Sequence, residues 1–407
     1  MDESPQGDPI PYPSDEQFVG AFGVLINIIG AYLSPGLIKT TTFVVIIAVL
    51  MLRPSGLFGK PEQTVGEPPI KDYTQSAVVG HRQGGDAGVA TSVRQFRQWG
   101  TWLAVLAVLV VLPFVLPSQT YRLASAVAIF LAVLGLNVLS GHTGQLSLGH
   151  SAFMAVGAYL AAIAVGRWGL PLAVALLLSL AVTGALGLII GLPATRLSGV
   201  YLALLTLAFG FTVPEVVTKL DAVGGAMGLA FPTPPQLADT LAKYWLILGI
   251  AVAGTAATLL LEGGSVGRHW RAVRDSELGA RSIGLNTARV KLGAFAWSAA
   301  LAGVGGALLG LMVGFISPDT YSVWLAVYLL LGVVIGGSGS VLGSLIGALF
   351  ITFMPAYTSG FHIAPDVVYG VVLIALLVLS PEGLAAAPAL VVRRLGRRMV
   401  APAARGA

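Results

Sequence analysis

Residues 262–291 read EGGSVGRHWRAVRDSELGARSIGLNTARVK and hold six of the chain's 23 lysines and arginines. Arg271, Arg274 and Glu277 recur at a spacing that shares one helix face, and Trp270, Val273 and Leu278 supply an apolar surface. Gly284 ends the run, and Asn286 or Thr287 can cap a helix that follows. Such a helix can dock in a groove of a soluble partner, or it can lie in a membrane interface with its charged face in water. Both readings stay open on the pattern alone.

A second segment, 137–158, reads NVLSGHTGQLSLGHSAFMAVGA. Asn137, Gly141, Gly144, Gln145, Ser147 and Gly149 make it too polar to face hydrocarbon, where each unsatisfied group costs several kcal/mol. It predicts a broken helix or re-entrant turn lining a cavity, whose freed backbone groups can meet a polar solute. A polar contact between helices, or a simple loop, is the alternative. His142 and His150 lack a neighbouring carboxylate in sequence and read as structural or exposed rather than metal-binding. A third segment, 328–347, reads YLLLGVVIGGSGSVLGSLIG. Gly332 and Gly336 are four apart, as are Gly339, Gly343 and Gly347, and Gly306 and Gly310 repeat the spacing earlier. Small residues so spaced let helix backbones approach closely. The Gly336–Gly339 break can also line a pore.

Other chemistries are missing from the sequence. There is no GxxxxGK[ST] loop and no HExxH motif, and the chain has no cysteine. ATP hydrolysis by a phosphate-binding loop and thiolate metal sites are therefore excluded. The few charges within apolar runs form no carboxylate relay of the kind a proton-driven carrier needs. The chain is expected to be no enzyme and to bind no cofactor. Energy enters through a partner, or the protein is a passive channel.

These residues must be positioned by membrane helices. Hydrophobic residues make up 56% of the 407, charged ones only 10%, and mean hydropathy is +0.86. A soluble domain carries about 25% charged residues. The runs are apolar all round rather than alternating, which excludes a β-barrel. The expected class is an all-α polytopic integral membrane protein. Its core, 100–386, is expected to be a bundle of about ten transmembrane helices with glycine-rich broken segments. The spans are 101–117, 122–140, 150–166, 171–191, 199–217, 244–261, 291–314, two within 322–357, and 364–380. Arg393, Arg394, Arg397 and Arg398 place the basic tail, 387–407, in the cytoplasm. Counting spans back from there puts 262–291, and then Arg94 and Arg97, on the same side. The net charge of +5 then reflects membrane orientation, and no nucleic-acid partner is expected.

The front of the chain is a separate problem. Residues 1–18 are acidic and proline-rich and read as a disordered lead, and 19–53 supply one or two extra hydrophobic passes. Residues 54–99 read as a flexible cytoplasmic linker. VVIIAVLMLRPSGL (44–57) aligns without a gap on VVLIALLVLSPEGL (371–384), with nine of fourteen positions identical.

Four blocks carry a family resemblance: GLNVLSGHTGQLSLGHSAFMAVGAY (135–159), LPATRLSGVYLALLTLAFG (192–210), RHWRAVRDSELGARSIGLNTARVKLGAFAWSAALAGVGGALLG (268–310) and VVIGGSGSVLGSLIGA (333–348). Together they resemble the LivM-type permeases of branched-chain amino acid ABC transporters, over about 100–386. The resemblance implies that the loop around Arg271–Gly284 docks on an ATPase, with Glu277, Ala280 and Gly284 at matching positions. It implies a pore-side role for 137–149, with Tyr201 and Thr206 matching positions in a following helix. It further implies a multi-pass protein of the bacterial cytoplasmic membrane. The implied partners are a LivH-type sister permease, two cytoplasmic ATPases carrying ATP and Mg2+, an extracytoplasmic solute-binding protein, and membrane lipid. The stretch 30–60 resembles the C-terminal end of the LivH-type sister. Urea and short-chain amide permeases share the fold family, so the implied solute is a branched-chain or related amino acid, or one of these.

Overall fold

The computed structural model describes residues 87–195, 197, 199–358 and 365–379. The expectations for the lead, the extra hydrophobic passes and the basic tail lie outside the described residues, as does most of the linker. The last part of that linker, 87–99, is helical and opens the first helix.

Among the described residues the elements are almost all helices. In hydrocarbon a chain must satisfy its own backbone hydrogen bonds, so apolar runs of about 20 residues become helices. They are α1 (Ala87–Val115), α2 (Thr120–Asn137), α3 (His150–Gly166) and α4 (Leu172–Ala194). Next come α5 (Val200–Lys219), α6 (Thr240–Gly263), the short α7 (Ser265–Asp275) and α8 (Glu277–Ser282), and α9 (Thr287–Val313). The last are α10 (Val323–Gly336), α11 (Val341–Thr358) and α12 (Pro365–Leu379). Among the described residues seven helical stretches are long and apolar enough to cross a membrane, and Gly100–Val115 and His150–Gly166 are shorter apolar helices. The chain is thus an all-α polytopic membrane protein. The described part of 55–120, α1 with a turn at Pro117–Gln119, forms a unit by itself.

In the main unit, burial separates centre from periphery. Over its most apolar 18 residues the stretch 117–142 is 94% buried and α9 is 83% buried, against 28% for α4 and α5. α9 packs most extensively on α4 and α3. Contact is close because α9 is paved with small residues. A methyl group at Gly306 would collide with the Met154 backbone of α3, and one at Gly157 with the Gly303 backbone. α10 and α11 form a second tight pair, with Gly336 against Gly343 and Gly332 against Gly347, backbone to backbone. Gly310 instead meets the side chains of Ile316 and Phe231.

The stretch 322–357 divides at Gly337–Ser340. Gly337 and Gly339 adopt φ of 103° and 82°, which a residue with a side chain rarely does, so the chain reverses there. Two short strands, β1 (Leu229–Ala230) and β2 (Phe315–Ile316), pair antiparallel and tie the connection after α5 to the end of α9.

Candidate functional site

The site begins where α2 loses its regular hydrogen bonds. Val138–His142 wind as a π-helical turn, which inserts a residue into the ladder and leaves carbonyls free for other donors. Hydroxyls repair part of the loss. Ser140 Oγ donates to the Leu136 carbonyl at 2.8 Å, and Thr143 Oγ1 to that of Leu139 at 2.6 Å. The chain then runs without regular structure to Gly149 before α3, turning at Gly144 with φ of 70°. Thr206 Oγ1, from α5, accepts the Leu148 N–H at 2.9 Å, and a methyl at Gly149 would lie 2.6 Å from the Thr206 carbonyl oxygen.

This break and the Gly337–Ser340 break are clamped together. Asn137 Nδ2 donates to the Ser340 carbonyl at 3.0 Å, and its Oδ1 accepts the Gly339 N–H at 2.7 Å. Gly141 lies so close to Gly339 that a side chain at Gly141 would part them. Residues 203 apart in sequence are thus joined through one amide side chain.

The charged loop reaches the same point. α7 ends at Asp275, Ser276 is extended, and its Oγ caps α8 by accepting the Gly279 N–H at 3.0 Å. Residues 265–282 are therefore two helices, not the single amphipathic helix the pattern suggests, because the serine competes for the backbone. Arg274 turns back from α7 and donates through Nη1 to the Gly141 carbonyl, and its stem lies beside Gly144. His142 Nε2 lies 2.8 Å from Glu262 Oε1 at the end of α6, and its ring centroid is 6.3 Å from that of Trp270. Gln145 Nε2 donates to Thr143 Oγ1 at 2.9 Å and approaches the Lys291 carbonyl at 3.4 Å.

Glu277 gathers a second cluster. Its carboxylate takes Lys291 Nζ at 2.5 Å, Arg281 Nη2 at 2.7 Å and the Thr287 hydroxyl at 3.2 Å. Partial burial pushes the carboxyl up, but the hydrogen bonds and charges of Lys291 and Arg281 outweigh it and hold the group below its ordinary value. Gly284 takes φ of 84° and turns the chain out of α8, and Asn286 Oδ1 caps α9 by accepting the Arg289 N–H at 3.1 Å.

Trp270 and Ala280, each 2% exposed, and Val273 face inward, so they stabilise the loop against its own protein. The most exposed apolar side chains of this region are Leu278 at 70% and Ile283 at 73%, with Val266 on α7 at 39%. Of the expected surface of Trp270, Val273 and Leu278, only Leu278 is free to meet a partner. Arg271 is exposed. Asn137, Gly141, Gly144, Gln145 and Thr206 come together around the break. Tyr201 is half-buried on α5 and makes no hydrogen bond to that segment among the described residues.

Sequence reasoning missed several members. His150 Nε2 lies 2.6 Å from Ser298 Oγ, and its Nδ1 lies 3.1 Å from Ser147 Oγ. Ser298 donates onward to the Gly135 carbonyl at 2.6 Å, so its oxygen accepts from Nε2–H and Nδ1 accepts from Ser147. A lone serine in the small-residue run of α9 was the available signal for Ser298. Glu262 and Ser340 carried none, because their partners are remote in sequence. Among the described residues no group of three or more His, Cys, Asp and Glu can hold a metal ion.

The family described as branched-chain amino acid transport system / permease component matches residues 118–381. The chain is 30% identical over 302 residues to the high-affinity branched-chain amino acid transport system permease protein LivM of Salmonella typhimurium, covering 67% of this chain and 71% of that protein. It is 33% identical over 150 residues to the corresponding LivH protein of Escherichia coli K12, covering 36% and 47%. It is 28% identical over 224 residues to the autoinducer 2 import system permease protein LsrC of Escherichia coli, covering 49% and 63%. No solved structure matches the chain.

Proposed function

Because the chain belongs to the family of branched-chain amino acid transport permease components, we propose that it is one membrane-spanning subunit of an ATP-driven importer for branched-chain or related amino acids. It works by alternating access and is driven by separate ATPases. Its assembly contains a LivH-type sister permease, two cytoplasmic ATPases and an extracytoplasmic solute-binding protein. The core crosses the cytoplasmic membrane ten times, with both of its ends in the cytoplasm.

The observation that carries this reading is the bond from Arg274 to the Gly141 carbonyl. It links a charged loop with an exposed apolar tip to the π-helical turn, and Asn137 links that turn to the second glycine break. Force applied at Leu278 and Ile283 thus has a short bonded route to both broken helices. Asn137, Gly141, Gly144, Gln145, Ser147 and Gly149, with Tyr201 and Thr206 on α5, line or support the pathway. Glu277, Ala280 and Gly284 shape the loop that receives the ATPase, and Arg271 supplies its charged rim. Relatives named for unlike solutes share this scaffold, so solute choice is assigned to the binding protein.

The test is reconstitution with the cognate ATPases and binding protein in proteoliposomes. Leu278→Asp with Ile283→Asp is expected to abolish co-purification of the ATPases. Arg274→Ala is expected to keep co-purification and lose hydrolysis stimulated by the loaded binding protein. Wild-type behaviour of both variants overturns the reading. Calorimetric screening of the binding protein against amino acids, urea and short amides identifies the solute.

A further inference from the structure

A groove of about 600 Å³ opens between α4, α6, α7 and α9. Its floor is made of small residues, with Gly184 on α4 and Gly293 and Ala296 on α9. The indole of Trp297 forms a wall, held by its N–H donating to Thr258 Oγ1 at 3.1 Å. Arg289 and His269 stand at the mouth, and no acidic residue lines it. Arg289 has no carboxylate partner among the described residues, and the neighbouring Arg268 is exposed.

The groove has a definite depth. Its lining on α9 runs from Arg289, near the helix start, to Ala300. Eleven residues of helix rise ~17 Å, and one leaflet of a hydrocarbon core of about 30 Å measures roughly half of that core. The apolar trough is therefore about one leaflet long, with its cationic groups at one end. Most small-residue seams between membrane helices are closed by a neighbouring side chain. This one is open at Gly293, which has nothing within 4 Å of where its Cβ would be.

We propose that this groove is a site for one anionic phospholipid, with an acyl chain along α9 and its phosphate between Arg289 and His269. Charge decides the headgroup: a lone guanidinium in a mouth without a carboxylate favours a net negative group over a zwitterionic one. A guanidinium offers paired N–H donors to phosphate oxygens, and the imidazole adds a further donor. The bound lipid wedges α7 against α4 and α9, and so steadies the helix that carries Arg274. The site does not depend on which solute is carried.

The test uses the full chain in nanodiscs of equimolar phosphatidylglycerol and phosphatidylethanolamine, extracted in mild detergent, with retained lipid counted by native mass spectrometry. Wild type is expected to keep phosphatidylglycerol in preference to phosphatidylethanolamine. Arg289→Gln, at an exposed side chain, is expected to lower that retention about fivefold, the factor of one basic group near an anionic surface. Gly293→Leu fills the groove without a backbone clash and is expected to abolish retention. Equal retention of the two lipids by wild type overturns the proposal, as does unchanged phosphatidylglycerol in Arg289→Gln. If Gly293→Leu does not accumulate, Arg289→Gln decides alone.

Discussion

Near the loop one carboxylate gathers two cations. Glu277 binds Lys291 and Arg281 and holds α8 onto the start of α9. Glu277→Gln leaves the nearly buried Lys291 ammonium against a neutral amide, at a cost of about 2 kcal/mol. The carboxyl is held below its ordinary value. Its stabilising contribution is therefore complete above the ordinary carboxylate range and is lost as pH falls through the lowered value. The apparent Tm of the purified wild type should fall between neutral and strongly acidic buffer, and that fall should be smaller in Glu277→Gln. An equal fall in both would show that Glu277 contributes nothing. Asn137 is the other decisive residue, since its one amide makes two bonds to the second break. Asn137→Asp removes the donor to Ser340 and adds a charge in a buried position, so stimulated ATP hydrolysis should drop at least as far as in Arg274→Ala. Intact stimulation at normal protein levels would exclude the clamp from the coupling route.

At the scale of elements, the loop separates into a part that anchors and a part that presents. α7 is held by Trp270 and Val273, and α8 presents Leu278 with Ile283 just beyond it. Trp270→Ala should therefore cost about 3–5 kcal/mol and act on folding. It should lower the apparent Tm of the isolated permease, whereas Leu278→Asp should leave that Tm unchanged and act only on assembly. A drop in both, or in neither, would contradict the division. The α10–α11 pair makes a second prediction. A side chain at Gly343 meets the Gly336 backbone. Gly343→Leu must open the pair, and overpacking of this kind costs about 1–3 kcal/mol or more. Membrane levels of Gly343→Leu should fall well below wild type, while Gly249→Leu, at a position with open space around it, should accumulate normally.

At the scale of the whole molecule, a ten-span core with both ends in the cytoplasm is testable because the chain has no cysteine. Single cysteines introduced at 275 and at 400 should both be shielded from an impermeant thiol reagent in intact cells. Labelling of either from outside would invert or break the topology. The front piece is a separate unit of prediction. It repeats the pattern of the chain's own end and precedes a helix that starts at Ala87. A chain beginning at Ala87 should still insert, assemble and transport. Loss of transport at normal membrane levels would assign function to residues 1–86.

The sequence by itself determined the membrane class, the helical character, the approximate place of the described helices and the polar or glycine-rich segments that interrupt them. These follow from local rules. A bilayer demands apolar runs of fixed length, and glycine, proline and capping residues mark their ends within a few positions. The division at Gly337–Ser340 was legible for that reason. Only the tertiary structure decided that the three segments meet. Arg274 and Gly141 are 133 residues apart, and Asn137 and Ser340 are 203 apart. No spacing rule reaches so far, because helix packing sets those contacts. The same limit hid which side of the loop is free. An apolar residue such as Trp270 or Leu278 fits equally well against its own protein or a partner, and only the packed bundle fixes which face it fills. In membrane helices that packing is set by close approach at residues such as Gly157, Gly303 and Gly306, whose partners a one-dimensional pattern does not name.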